Sequence, residues 1–419
     1  MADVDAGDFI ATAAGLDELV ADLRAAGRFA FDTEFVSEET FEPVLCLIQV
    51  ATRDRLAIVD PLAIRDLSAF WEVVNDPSIE VVMHAAREDL RICKYKTGKV
   101  PSRVYDVQLV AGLVGYGYPL SLVNLIGQAL RVSVSGGETR TDWRRRPLSP
   151  AQMRYALDDV RYLLELADLL AAQSARWKRT EWVEAEFADF VGEIQNLAEE
   201  ERWRRLPGLH QLNRRSLEVA RRLAEWRHDE ARRANRPLRQ LLRDDLLVAI
   251  AKRQPANRKD LEALRDFNRP HLLNKSHEIL AVIAEAQLVP HDDLPEPPDR
   301  HEDGPGLTMV VNLLAAALAQ CCTQHKVASG LVGASHDLKE LIRWHAHGCP
   351  EEHRPDLVRG WRAEVCGSAL TDVLSGRCTL RVVNPLADVP VVLEPWSGPG
   401  SMRVASSKSQ PPAEAEIES

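Results

Sequence analysis

Residues 28–35, Arg28-Phe29-Ala30-Phe31-Asp32-Thr33-Glu34-Phe35, constrain this chain more than any other stretch. Side chains along a strand alternate between faces, so Phe29, Phe31, Thr33 and Phe35 share one face and Ala30, Asp32 and Glu34 the other. Three aromatic rings anchor the first face in a core. The second face carries two carboxylates about 7 Å apart along the chain. Two anions on a well-anchored strand repel each other unless a positive charge sits between them, and a hard divalent cation with oxygen ligands is the natural neutraliser. Solvation at an exposed strand end is the alternative. Ligands supplied from elsewhere in the chain decide between the two.

The surrounding pattern predicts an α/β domain with a mixed sheet. A short helix over residues 16–26 leads into the strand, and two apolar runs, 44–50 and 56–60, read as a hairpin joined at Thr52-Arg53-Asp54. A helix over 64–74, a strand over 79–83 and a helix over 85–96 follow, then helices over 106–114 and 121–130. Ser149-Pro150-Ala151-Gln152 offers an N-cap, a proline at the first helical position and a capping-box glutamine. From there an apolar stripe runs from Met153 to Leu170, predicting one long helix.

At 419 residues, two or three domains are expected. The predicted divisions are 1–175 for the α/β domain, 176–209 for a connecting helix, 210–289 for a helical module, 290–306 for an acidic Pro-rich linker, 307–396 for a last module and 397–419 for a disordered tail. The net charge of −11 speaks against nucleic acid as partner, yet over residues 201–260 Arg and Lys outnumber Asp and Glu by about two to one. Seven cysteines without a framework spacing suit a reducing cytoplasm, no apolar run is expected to reach a membrane span, and the acidic N-terminus is unlike a secretory signal.

Two further segments offer acids to the Asp32/Glu34 face. In His84-Ala85-Ala86-Arg87-Glu88-Asp89-Leu90 the first turn of a helix follows a strand, and Asp89, Glu88 and the later Asp106 compete for the place. On the capped helix, Asp159 lies about 40° from Tyr155 and beside the apolar stripe, whereas Asp158 faces away. Asp32-x-Glu34, His84-x4-Asp89 and Tyr155-x3-Asp159 together resemble the DEDD exonuclease superfamily in its tyrosine-containing branch. With Leu47-Ile48-Gln49, Arg140-Thr141-Asp142-Trp143 and Arg146-Pro147-Leu148, the chain resembles the bacterial ribonuclease D family over residues 15–175.

That resemblance implies a ribonuclease H-like fold and 3′→5′ exonucleolytic hydrolysis of RNA, including the 3′ ends of tRNA precursors, releasing nucleoside 5′-monophosphates. It assigns Asp32, Glu34, Asp89 and Asp159 to two divalent ions (Mg²⁺ or Mn²⁺) and Tyr155 to the attacking water. Gln49, His84, Arg140, Arg144, Arg145 and Arg146 are candidate RNA contacts; Gly136 stands where the family commonly has a loop lysine. Residues 210–290 resemble the helicase-and-RNase-D C-terminal (HRDC) domain, whose arginines are expected to meet phosphates, and the last module resembles a second, diverged copy. A DNA exonuclease on the same fold and a non-catalytic RNA-binding scaffold are the alternatives. His345-x-His347-x-Cys349-x3-His353 fits no common zinc spacing, and Cys321-Cys322 in an apolar helix reads as core.

Overall fold

The computed structural model describes residues 7–134, 141–196, 203–297 and 304–396. Two compact units divide the chain, residues 1–305 with 326–331, and residues 306–325 with 332–419.

The first unit is built on a six-stranded sheet in the order β1-β4-β3-β2-β5-β6. Its strands are β1 (Asp8–Ile10), β2 (Arg28–Val36), β3 (Val44–Ala51), β4 (Leu56–Val59), β5 (Glu80–Met83) and β6 (Val104–Asp106). Strand β2 lies near the middle, antiparallel to β3 and parallel to β5, which gives the expected mixed sheet. Strands β1 and β6 were not legible in advance, since three residues are too few to display an alternation.

Helices α1 (Ala13–Ala26), α2 (Ser68–Val74) and α3 (Arg87–Thr97) border the face that carries Phe29 and Phe31. Helix α1 is capped by the Thr12 hydroxyl and ends on Gly27 at φ 64°, a left-handed turn that glycine adopts without steric cost. Strand β2 therefore starts at once, with Phe29 and Phe31 buried among Leu19, Leu23, Phe70 and Trp71. After α4 (Val107–Leu113) and α5 (Leu122–Ala129), α6 (Pro150–Arg161) packs over β2, β3 and β4, and α7 (Leu163–Arg176) over β2 and β5. The capping box forms as read: Ser149 Oγ accepts from the Gln152 amide and Gln152 Oε1 from the Ser149 amide, at 3.2 and 2.8 Å. The expected single helix is divided at Tyr162. Its apolar stripe continues through the break because both halves bury the same side. Helix α8 (Thr180–Asn196) returns to α3, α4 and β6 and buries Ile194 in the sheet's core.

Six helices follow, α9 (Arg214–Ala234), α10 (Leu238–Leu241), α11 (Asp244–Arg253), α12 (Arg258–Glu262), α13 (Pro270–Asn274) and α14 (Ser276–Gln287). Leu217, Leu223, Leu247, Ile250, Phe267 and Ile283 make their core. The basic face of α9 is largely neutralised from within. Arg221 and Arg222 both hold Glu218, Arg233 holds Glu230, and Arg215 donates to the carbonyls of Ala286 and Val289.

In the second unit, the helix Leu307–His325 packs against Ser335–Ala346 and Ser368–Leu374, and the hairpin Cys378–Val382 with Val391–Pro395 follows. Contrary to the sequence reading, this helix is long and apolar enough to cross a membrane. Its Val311, Leu314, Leu318, Cys321 and Cys322 are buried within the unit, the two cysteines as expected.

Candidate active site

Three elements supply the carboxylates. Asp32 and Glu34 stand on the α6 side of β2, and Asp159 comes down from α6. Oxygen atoms of these three lie within 4.8 Å of one another. The fourth acid arrives by a different route. Strand β5 pairs with β2 only from Arg28 to Ala30, so beyond Ala30 that side of β2 has no strand neighbour. The first turn of α3 comes in there, and Asp89 accepts a short hydrogen bond from the Thr33 hydroxyl. Thr33 thus anchors Asp89, although alternation alone assigns it to the core face.

Burial and mutual repulsion dominate the electrostatics. Asp32 is held well above the usual carboxylate range by burial first, then by Asp89, Asp159 and Glu34. Glu34 is pushed up to about 8 by burial and by Asp159 and Asp89. Asp89 and Asp159 each rise to about 7, again chiefly through burial. A basin in which four carboxylates all resist ionisation is a poor place for bare anions and a good one for hard cations. All the donors are oxygens, which suits Mg²⁺ or Mn²⁺ and not a soft metal. Burial first, then the Asp159, Glu34 and Asp32 carboxylates, raise the Tyr155 phenol above its usual range, so it stays protonated at neutral pH. Trp143 stacks beside it, with ring centroids 6.0 Å apart.

The rival acids are occupied elsewhere. Glu88 is on the surface with Arg91, and Asp158 pairs with Arg161. Asp106 is buried and accepts from the backbone amides of Ala85, Ala86 and Gln108, fixing the turn into α3 and the start of α4. His84 donates through Nε2 to the Leu120 carbonyl at 2.9 Å, a structural bond inside the domain.

Several candidate RNA contacts read differently in three dimensions. Gln49 is fully buried, so it does not line a groove. Arg146 belongs to the scaffold: it clasps the buried Asp60 through Nε and Nη2 at 2.6 and 2.8 Å and donates to the carbonyls of Cys46, Trp143 and Arg145. Arg144 is held between Asp142 and Glu39 at 2.8 and 2.6 Å. Arg145 is the exposed member, its side chain 84% accessible beside the cavity of about 620 Å³ lined by Thr141, Asp142, Pro147 and Gln152. Gly136 and Arg140 lie outside the described residues.

Residues 8–174 match the 3′-5′ exonuclease family, 216–283 the HRDC domain, and 305–370 the C-terminal HRDC domain of ribonuclease D. Ribonuclease D of Gluconacetobacter diazotrophicus is 35% identical over 378 residues, covering 89% of this chain and 94% of that protein. Ribonuclease D of Bartonella henselae is 31% identical over 372 residues, covering 88% and 90%. The chain belongs to the ribonuclease D family. The crystal structure of Escherichia coli RNase D, described as an exoribonuclease involved in structured RNA processing, superposes with a TM-score of 0.77 at 29% identity, covering 88% of this chain and 99% of that one. The catalytic core of RRP6 from Trypanosoma brucei shares the fold, at 22% identity and a TM-score of 0.52. Like the rest of the ribonuclease D family, this chain is a 3′→5′ exoribonuclease. Divalent-metal dependence comes with the exonuclease family and agrees with the all-oxygen basin.

Proposed function

We propose that this exoribonuclease trims the 3′ ends of structured RNAs such as tRNA precursors in the cytoplasm, using two divalent ions and releasing nucleoside 5′-monophosphates. The observation that carries the reading is the convergence of Asp32, Glu34 and Asp159 within 4.8 Å, with Asp89 adjoining them. Two divalent ions held there would supply an activated water and charge compensation for the departing 3′ oxygen. The chain's own part is to hold them and to place the scissile phosphate. Asp32, which feels the other three carboxylates, would hold both ions, with Glu34 and Asp159 on the water side and Asp89, fixed by Thr33, on the leaving-group side. The Tyr155 hydroxyl, protonated at neutral pH, orients the attacking water as a hydrogen-bond partner and not as its base. The exposure of Arg145 supports a role in meeting a phosphate of the incoming strand.

The test is hydrolysis of a 3′-extended tRNA by wild-type protein and by Asp32→Asn and Asp159→Ala, with and without chelator, beside a matched DNA oligomer. Both variants and the chelated wild type should lose cleavage by at least about 10³-fold while the variants still bind RNA. Full activity in Asp32→Asn refutes the assignment, and preference for the DNA oligomer refutes the substrate.

A further inference from the structure

Gln49 sits at the centre of the sheet with nothing to bond. It is completely buried, and among the described residues neither its amide nitrogen nor its amide oxygen has a hydrogen-bond partner. Around it β3 is apolar, with Leu45, Cys46, Leu47, Ile48 and Val50 all buried. An aliphatic residue would fill the position without the cost of an unsatisfied amide, which is large for a buried group. A free amide in such a place calls for a partner.

The register identifies that partner. Gln49 is directly opposite Asp32 in the antiparallel β2–β3 pair, with Ile58 of β4 on its other side. Opposed residues of an antiparallel pair share a face, with Cβ atoms about 4.5–5.5 Å apart, within reach of a glutamine side chain. That face also carries Glu34, and α6 lies across it with Asp159. The orphaned amide thus borders the carboxylate that stands among the other three. It is shut off from solvent, so no RNA contact competes for it.

We propose that Gln49 is a positioning residue for the metal centre: when the basin holds its cations, the Gln49 amide N–H donates to an Asp32 carboxylate oxygen and fixes Asp32 in the orientation that Glu34 and Asp159 require. The proposal rests on the metal-binding reading of the basin. Hydrogen bonds from buried groups to metal-ligating side chains typically set about 10–100-fold in metal affinity.

The experiment compares full-length wild type with Gln49→Met, which keeps length and volume but removes the amide, and with Gln49→Leu as a second apolar variant. Calorimetric titration with Mn²⁺ alone reads affinity, and thermal melting with and without Mn²⁺ reads stability. Metal-free variants should melt above metal-free wild type, because the orphan is gone. Their Mn²⁺ affinity should fall about tenfold, and kcat at low Mn²⁺ should fall while KM for RNA stays unchanged. If wild type fails to bind Mn²⁺, the metal-binding reading itself fails. If wild type binds and the variants bind equally well, the role of Gln49 is overturned. Metal-free variants that melt below wild type, or do not fold, also overturn it, because the amide would then be satisfied without metal.

Discussion

Glu34 stands close to the end of β2, and the loop that follows, residues 37–43, is held by the first helical module. Asn235, at the C-terminus of α9, accepts through Oδ1 from the backbone amides of Phe41 and Glu42 at 3.1 and 3.3 Å. The Phe41 ring meets His228 edge-on at 4.9 Å and lies under the Arg232 guanidinium. Asn235 is itself left-handed, φ 45° and ψ 51°, a conformation that asparagine adopts at lower cost than alanine. Asn235→Gly keeps that conformation and removes only the acceptor. At about 1 kcal/mol for each bond, it should weaken the clasp by about 2 kcal/mol, which raises the opening equilibrium of the loop about 30-fold. Asn235→Ala should cost about 1 kcal/mol more through backbone strain. Hydrogen exchange resolved at Phe41 and Glu42 measures the first figure directly, and urea unfolding of the two variants the second. Wild-type exchange at both amides in Asn235→Gly would show that the side chain does not hold the loop. Equal stability of the two variants would refute the left-handed cap.

Other outcomes follow from the same geometry. Glu34, Asp89 and Asp159 titrate at about 8, 7 and 7, above the ordinary range near 4, so their folded-state contribution is present below about pH 4 and is lost as pH rises through 7–8. Cations replace those protons, so the rise in melting temperature on adding Mg²⁺ should grow from pH 5.5 to 8.5. Equal shifts at both pH values would contradict the sign. Arg146→Met should destabilise the protein by about 3 kcal/mol in urea unfolding, because it leaves the buried Asp60 carboxylate uncompensated. Adding Asp60→Asn should restore part of that loss, and strict additivity of the two changes would speak against the pair.

What was legible beforehand follows physical lines. The alternation across 29–35 and the capping box at Ser149 are local signals, and both elements form where they were read. The i, i+4 placement of Tyr155 and Asp159 needs only helical geometry, and the Asp159 carboxylate is close enough to raise the Tyr155 phenol. The choice among Glu88, Asp89 and Asp106 could not be made this way, because it depends on which turn residue falls beside which strand. Arginines misled for a related reason: composition records the basic excess of α9 and of residues 144–146, and not the acids and carbonyls folding brings to them. Glu218 is one helical turn from Arg222, whereas Asp60 is far from Arg146 in sequence and meets it only across the folded sheet.

The site itself turns on a mismatch in strand length. Strand β5 stops at Met83, and its pairing with β2 ends at Ala30, while β2 continues to Val36. Had β5 run on beside Thr33, its backbone would occupy the place where the first turn of α3 enters, and Asp89 could not reach the edge of β2. The shortened neighbour lets acids carried by a strand, by the helix above its face and by a helix turn at its edge surround one point. None of the three elements could do this alone, since the two carboxylates of one strand leave most of a hard cation's roughly six oxygen positions unfilled. In a protein of this family the chemistry is thus set by where a strand ends, as much as by which acids the chain contains.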